Sequence, residues 1–123
     1  MYKRQLDTPW PKVNHRVAAF AQTLAMDQGN LKNADQYLKL LADTHHASDH
    51  ELPSTGVSKE WEKALSPAFI KTPAYGTRSS TVLRIRKDGQ FELVERRFDS
   101  SGTVGHDVVM GALNSASDSN LSV

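Results

Sequence analysis

The fold is decided by the stretch Thr81-Val82-Leu83-Arg84-Ile85-Arg86-Lys87-Asp88-Gly89-Gln90-Phe91-Glu92-Leu93-Val94-Glu95. It predicts two antiparallel β-strands joined by a tight turn, and the residue types favour one register. A two-residue turn on Asp88-Gly89 places apolar side chains opposite acids, with Ile85 facing Glu92. A three-residue turn, Lys87-Asp88-Gly89 with Gly89 left-handed at a bulge, gives better pairs. These pairs are Ile85 with Phe91, Leu83 with Leu93, Val82 with Val94 and Arg84 with Glu92. Matched pairs contribute about 0.2–1 kcal/mol each, so we expect the second register.

Both faces of this hairpin carry apolar residues. One face has Leu83, Ile85, Phe91 and Leu93, and the other has Val82 and Val94. This pattern predicts a hairpin that is covered on both sides.

The composition limits the classes of function. The chain has 123 residues, which is the size of one domain, and its formal net charge is +1. That charge gives no electrostatic case for binding nucleic acid or an anionic membrane. No apolar run approaches the ~20 residues of a membrane span. The sequence contains no cysteine, which excludes disulfides and a thiol nucleophile within it.

Helices are predicted on the N-terminal side of the hairpin. Val13, Val17, Phe20 and Leu24 recur at helical spacing, and a second helix is expected after Asn33. The short connection suggests that the two pack as an antiparallel pair, with their apolar stripes in the core.

Short or weak elements are predicted elsewhere. Ser58 is expected to cap a third, short helix. After Asp99 the pattern is weak: residues 108–113 predict one or two helical turns within a weakly structured or disordered tail, residues 100–123.

A histidine cluster invites comparison with metal sites. His45, His46, Asp49 and His50 are sufficient in number to bind zinc. They lie in a loop-like stretch where nothing obvious fixes the ligand geometry. We therefore favour solvated loop histidines and expect no metal site.

Four ordered motifs carry a family resemblance. They are Leu6-Asp7-Thr8-Pro9-Trp10-Pro11-Lys12-Val13, Leu52-Pro53-Ser54-Thr55-Gly56-Val57, Leu65-Ser66-Pro67-Ala68-Phe69-Ile70, and Tyr75-Gly76-Thr77-Arg78-Ser79-Ser80-Thr81-Val82-Leu83 followed by Glu95-Arg96 and Phe98. Together they resemble the NRDE family, which is Transport and Golgi organisation protein 2-like, over residues 6–99.

The resemblance covers a C-terminal half only. Family members resemble N-terminal-nucleophile (Ntn) hydrolases, with a cysteine after the initiator methionine and an Asn-Arg-Asp-Glu tetrapeptide in the N-terminal half. This sequence has neither. The resemblance therefore implies an α+β fold, a fragment of an Ntn-hydrolase-like αββα sandwich in which helices precede a β-hairpin. The implied partner is the missing N-terminal half.

Two functions follow from the resemblance. The first is amide-bond hydrolysis by the intact, cytoplasmic protein, through the cysteine that is absent here. The second is a non-catalytic trafficking or carrier role, with haem or an acyl lipid as the ligand. The residues indicate no cofactor, and they do not specify a small-molecule ligand.

Candidate site residues lie where the first strand of the hairpin begins. Taken alone, Thr77, Arg78, Ser79 and Ser80 are ordinary polar residues, and Arg78 could simply pair with an acid or a carbonyl. No G-x-S-x-G elbow accompanies the serines. The resemblance implies that these four residues line a cleft beside the missing cysteine.

The first five residues suggest a separate origin. Met1-Tyr2-Lys3-Arg4-Gln5 can be back-translated as GTG-TAT-AAG-AGA-CAG, which resembles a transposon end sequence from DNA-library preparation. We interpret residues 1–5 as adapter-derived, residues 6–99 as the half-domain and residues 100–123 as the tail.

Overall fold

A computed structural model describes residues 10–114 of the chain. Three helices precede an antiparallel sheet of three strands, so the α+β class is confirmed. The elements in order are α1 (Pro11–Met26), α2 (Asp35–Leu41), a 3₁₀ turn (Asp49–Glu51), α3 (Lys59–Ala64), β1 (Ser79–Ile85), β2 (Gln90–Asp99) and β3 (Gly102–Ala112). Residues 1–9 and 115–123, including the proposed adapter segment and the end of the predicted tail, lie outside the described residues.

Of the described helices, α1 and α3 begin where the sequence provides start signals, whereas α2 begins after Ala34 without a side-chain cap. Pro11 occupies the first turn of α1, where its missing N–H costs no hydrogen bond. The Ser58 side chain caps α3 by accepting a hydrogen bond from the Trp61 backbone N–H at 3.3 Å. Within residues 10–114, no helix is long and apolar enough to cross a bilayer.

The hairpin has the predicted register. Ile85 pairs with Phe91, Leu83 with Leu93, Val82 with Val94 and Arg84 with Glu92. Gly89 has φ of +85°, a left-handed conformation that is strained for residues with a side chain. The three-residue turn is therefore confirmed.

The prediction for residues 100–113 was wrong over the described part. Residues 102–112 form β3, which pairs antiparallel with β2 along nearly its whole length and shifts register once, between Arg97 and Phe98. The sequence of Val108-Val109-Met110 predicts helical turns. Pairing with β2 stabilises it as a strand instead, because each valine faces a valine or leucine across the ladder.

The two faces of the sheet differ. On the covered face, Val82 and Val94 pack against Tyr37 and Leu38 of α2, and Val94 is only 2% exposed. On the other face, which we call the open face, Leu83 is 57% exposed and Ile85 is 55% exposed. The prediction that the hairpin is covered on both sides is therefore wrong for residues 10–114, because no described residue buries Leu83 or Ile85.

Candidate functional site

The four predicted site residues lie around the start of β1 and have different surroundings. Thr77 closes a turn, with its backbone N–H donating to the Ile70 carbonyl at 2.9 Å and its hydroxyl accepting from the Ile70 N–H at 2.9 Å. Ser79 and Ser80 follow each other in β1 and therefore point to opposite faces. Their role in lining a cleft stays a prediction.

Arg78 and Ser80 lie near the end of the sheet. The carbonyl of Arg78 accepts a hydrogen bond from the Phe98 N–H at 2.8 Å, and the Arg78 side chain is exposed. Hydrogen bonds from Ser101 hold the pKa of Asp99 below its usual range, and the positive charge of Arg78 adds to this effect. Ser80 is buried and lines a cavity of about 300 Å³ beside Phe69 and Phe98. The rings of those two phenylalanines pack edge to face, 4.8 Å apart.

A larger cavity, of about 1060 Å³, separates α1 from β1. We call it the edge groove. One wall is the apolar stripe of α1, formed by Val13, Val17, Phe20 and Leu24. The other wall is residues 81–87, the strand β1 and the start of the turn. No described residue of α1 is buried, so the stripe that we expected in the core faces this groove.

An ion cluster adjoins the edge groove. It is formed by Asp27, Tyr37, Arg84 and Glu92, of which the first three line the groove. Arg84 Nη2 donates to both carboxylate oxygens of Asp27, at 2.7 and 2.9 Å, and Arg84 Nη1 donates to Glu92 Oε2 at 3.0 Å. The Tyr37 hydroxyl donates to Asp27 Oδ2 at 2.5 Å. The Arg84 guanidinium also lies 5.5 Å from the centre of the Tyr37 ring, a cation–π distance.

Charge and burial determine the protonation states in this cluster. The hydrogen bond from Tyr37, together with those from Gly29 and Arg84, holds the pKa of Asp27 below its ordinary value against the effect of burial. Burial and the neighbouring Asp27 carboxylate raise the pKa of the Tyr37 hydroxyl. Burial alone would lower the pKa of Arg84, but hydrogen bonds to Asp27 and Glu92 outweigh it and raise the pKa. At neutral pH the cluster therefore holds an ionised Asp27 and a neutral Tyr37.

The sequence signalled only part of this cluster. The predicted hairpin register places Arg84 opposite Glu92. Opposite charges that face each other on a buried strand face are expected to form an ion pair. Asp27 was missed because it is 57 residues away in sequence and reaches Arg84 only after α1 has packed.

The histidine cluster is spread along an exposed segment. His45, His46 and His50 are all exposed, and the His50 ring lies near the Ser48 hydroxyl. Asp49 pairs with Lys59 and Lys63 of α3, at 3.3 and 2.9 Å. Its carboxylate therefore ties the loop to α3.

The described part of the chain is thus a small α+β unit with one open sheet face and a groove along one sheet edge. A model of the Transport and Golgi organisation 2 family matches residues 3–100. The chain belongs to this family, which is the NRDE family that the sequence motifs resemble. A search of curated proteins found no match.

Proposed function

We propose that the chain is one half of a domain of this family and works by assembling with an N-terminal half. The observation that carries the proposal is the open face of the sheet. Leu83, Ile85, Phe91, Leu93 and Val109 lie together on it through their pairing across β1, β2 and β3. A contiguous apolar patch of this kind is unusual on a protein that works alone.

The structure of the sheet changes the proposed boundary of this half. The sequence placed its end at residue 99, but β3 continues the same sheet to Ala112. We therefore propose a half-domain of residues 6–112. A second sheet packed on the open face, about 10 Å away, would give the αββα sandwich that the family resemblance implies.

The proposed chemistry of the assembled domain is amide-bond hydrolysis. This chain has no cysteine, so the thiolate nucleophile would come from the N-terminal half. Arg78 is exposed just before the start of β1, where its guanidinium could bind a substrate carboxylate through charge-assisted hydrogen bonds. Ser79 follows it, also exposed, and could add a hydroxyl to the same cleft.

The test combines this chain with the N-terminal half of another family member that has a cysteine after its initiator methionine. A one-to-one complex in sedimentation, and hydrolysis of an amide-substrate panel that Cys→Ala abolishes, would support the hydrolase. Arg78→Ala should then reduce turnover, while Lys39→Ala, which removes an exposed cation from α2, should not. Turnover by the 123-residue chain alone would contradict the proposal.

The same complex separates hydrolysis from the carrier function. Saturable binding of haem or an acyl ligand that survives Cys→Ala, without turnover, would identify a carrier instead. Sequencing the source DNA on the 5′ side of the Leu6 codon gives an independent check. An open frame leading back to a Met-Cys start supports the half-domain, and an in-frame stop codon before a native GTG start contradicts it.

A further inference from the structure

The edge groove follows the backbone of β1. The wall on the β1 side is lined by residues 81–87 without a gap. Neighbouring side chains in a strand point to opposite faces of the sheet. A cavity over one face would be lined by alternate residues only. The groove therefore runs along the free edge of the strand, and β1 is indeed an outer strand in the order β1-β2-β3.

The hydrogen-bond pattern shows which residues point into the groove. The Arg86 N–H donates to the Gln90 carbonyl at 2.8 Å, and the Phe98 N–H donates to the Arg78 carbonyl at 2.8 Å. In an antiparallel pair, the backbone N–H and C=O groups of alternate residues point toward the partner strand. The backbone groups of the even-numbered residues 78–86 therefore point toward β2. The backbone N–H and C=O groups of Thr81, Leu83 and Ile85 therefore point away from β2, toward the groove.

The opposite wall has the length and chemistry to cover one added strand. From Lys12 to Leu24, α1 extends about 18 Å at 1.5 Å per residue. The strand β1, from Ser79 to Ile85, extends about 20 Å at 3.3 Å per residue. The apolar stripe of α1 would meet the side chains on one face of such a strand, in the same way that α2 covers Val82 and Val94.

A lysine lies toward each end of the edge groove. Asp27 follows the last residue of α1 and binds Arg84, close to Lys87 in sequence. Lys12 is at the start of α1 and therefore lies at the opposite end of the groove from Lys87. Among residues 10–114, neither lysine forms an ion pair with an acidic side chain. Lys12 instead donates to the Leu65 carbonyl at 2.8 Å. The groove is thus complementary to a segment with acidic residues at both ends.

The same charges disfavour a second copy of this chain as the occupant. In an antiparallel pair of β1 strands, Arg78 of one copy would approach Arg86 and Lys87 of the other. Like charges placed opposite each other destabilise a strand pair.

We propose that the edge groove binds an extended apolar peptide segment with an acidic residue at each end, which adds to β1 as a fourth strand. This rests on the proposed function, because the segment would belong to the N-terminal half. Recognition by strand addition uses backbone hydrogen bonds for affinity and alternate side chains for specificity. Here the backbone groups are those of Thr81, Leu83 and Ile85, and the side-chain contacts are with the stripe of α1.

The test uses the whole chain and a fluorescent synthetic peptide, Glu-Val-Thr-Val-Thr-Val-Glu, in anisotropy titrations. We expect saturable binding. A peptide with the same side chains but N-methylated at alternate backbone positions should bind at least about tenfold more weakly, because it cannot complete the hydrogen-bond ladder. A peptide with lysine in place of both glutamates should also bind more weakly, and Lys12→Gln/Lys87→Gln should remove that difference.

Amide hydrogen exchange supplies a readout specific to strand addition. Bound peptide should slow the exchange of the Thr81, Leu83 and Ile85 amides and leave the Val82 and Arg84 amides unchanged, because those two already face β2. Leu83→Pro, which removes one outward N–H from an edge strand, should weaken binding. Circular dichroism should first show that this variant is folded, and the N-methylated peptide keeps the test valid if it is not.

Several results would overturn the proposal. Equal binding of the N-methylated peptide would show that the backbone edge is not used. Protection of even-numbered amides, or of none, would place the peptide elsewhere. A dimer of the free chain with protected Thr81, Leu83 and Ile85 amides would identify a second copy as the occupant, and displacement of the peptide by decanoate would identify an anionic amphiphile. If the peptide binds as proposed but no N-terminal half forms a complex, strand addition stands and the half-domain proposal fails.

Discussion

Arg84 holds Asp27 by two hydrogen bonds, at 2.7 and 2.9 Å, across 57 residues of sequence. The side chains are 10% and 12% exposed, so the pair is largely removed from water. Arg84 lies on the sheet and Asp27 follows the last residue of α1. Their pairing therefore fixes the end of α1 beside β1 and sets one end of the edge groove.

Removing Arg84 should destabilise the chain strongly. Arg84→Met leaves Asp27 and Glu92 buried without a cation, and Glu92 is only 3% exposed. We expect a loss of about 3–5 kcal/mol in the free energy of unfolding, measured by urea denaturation. The control is the triple variant Arg84→Met/Asp27→Asn/Glu92→Gln, which removes all three charges. It should lose less than Arg84→Met alone, and an equal or larger loss would show that packing rather than charge dominates.

The stability of the chain should depend on the protonation of Asp27. Its pKa in the folded state lies below the value of about 3.9 expected in the unfolded chain. The folded state therefore binds this proton less tightly, so the stabilisation is complete above pH ~4 and is lost as the pH falls through the folded-state pKa. The difference in unfolding free energy between the parent chain and Asp27→Asn should shrink as the pH falls through that range. A difference that is the same at pH ~6 and pH ~2.5 would contradict this.

Tyr37 should be the main cause of the lowered pKa of Asp27. Its hydroxyl makes the shortest contact with the carboxylate, at 2.5 Å, and it is the largest of the influences that lower the pKa. Tyr37→Phe removes only that hydroxyl. We expect the pKa of Asp27, followed by carbon NMR of the carboxyl group, to rise toward its ordinary value. An unchanged titration would assign the shift to Arg84 and the Gly29 N–H instead.

The local parts of the fold could be predicted from the sequence, and the long-range parts could not. The hairpin register follows from neighbouring residues, since moving the turn by one residue sets Ile85 against Glu92 instead of Phe91. The strand β3 could not be recognised in the same way. Its valines are consecutive rather than alternating, and only pairing with β2 decides their conformation.

The candidate site shows the same limit. Thr77, Arg78, Ser79 and Ser80 are adjacent in sequence, yet strand alternation separates the two serines and the turn engages Thr77. The edge groove and the ion cluster depend on where α1 lies relative to β1. No pattern within either element specifies that placement.

Gly89 should be more sensitive to alanine than Gly56, although the two have nearly the same φ angle. Their φ angles are +85° and +87°. A Cβ at Gly56 meets nothing within 4 Å, whereas one at Gly89 would lie 2.8 Å from the Leu113 carbonyl oxygen. Gly56→Ala should therefore cost about 1 kcal/mol of unfolding free energy for the backbone conformation alone, and Gly89→Ala should cost more. Equal losses in urea denaturation would show that Leu113 moves aside freely.

The open face should make the isolated chain self-associate, and changing that face should relieve the association without loss of stability. Leu83→Thr/Ile85→Thr replaces two half-exposed apolar side chains by a residue that also favours strands. We expect less association in sedimentation velocity at high protein concentration and a melting temperature close to that of the parent chain. Val82→Thr is the matched control on the covered face. Val82 is buried, so the threonine hydroxyl would be shielded from water. It should lower the melting temperature and leave association unrelieved. If the parent chain is already monomeric and unfolds cooperatively at high concentration, the open face needs no partner, and the proposed assembly with an N-terminal half fails with it.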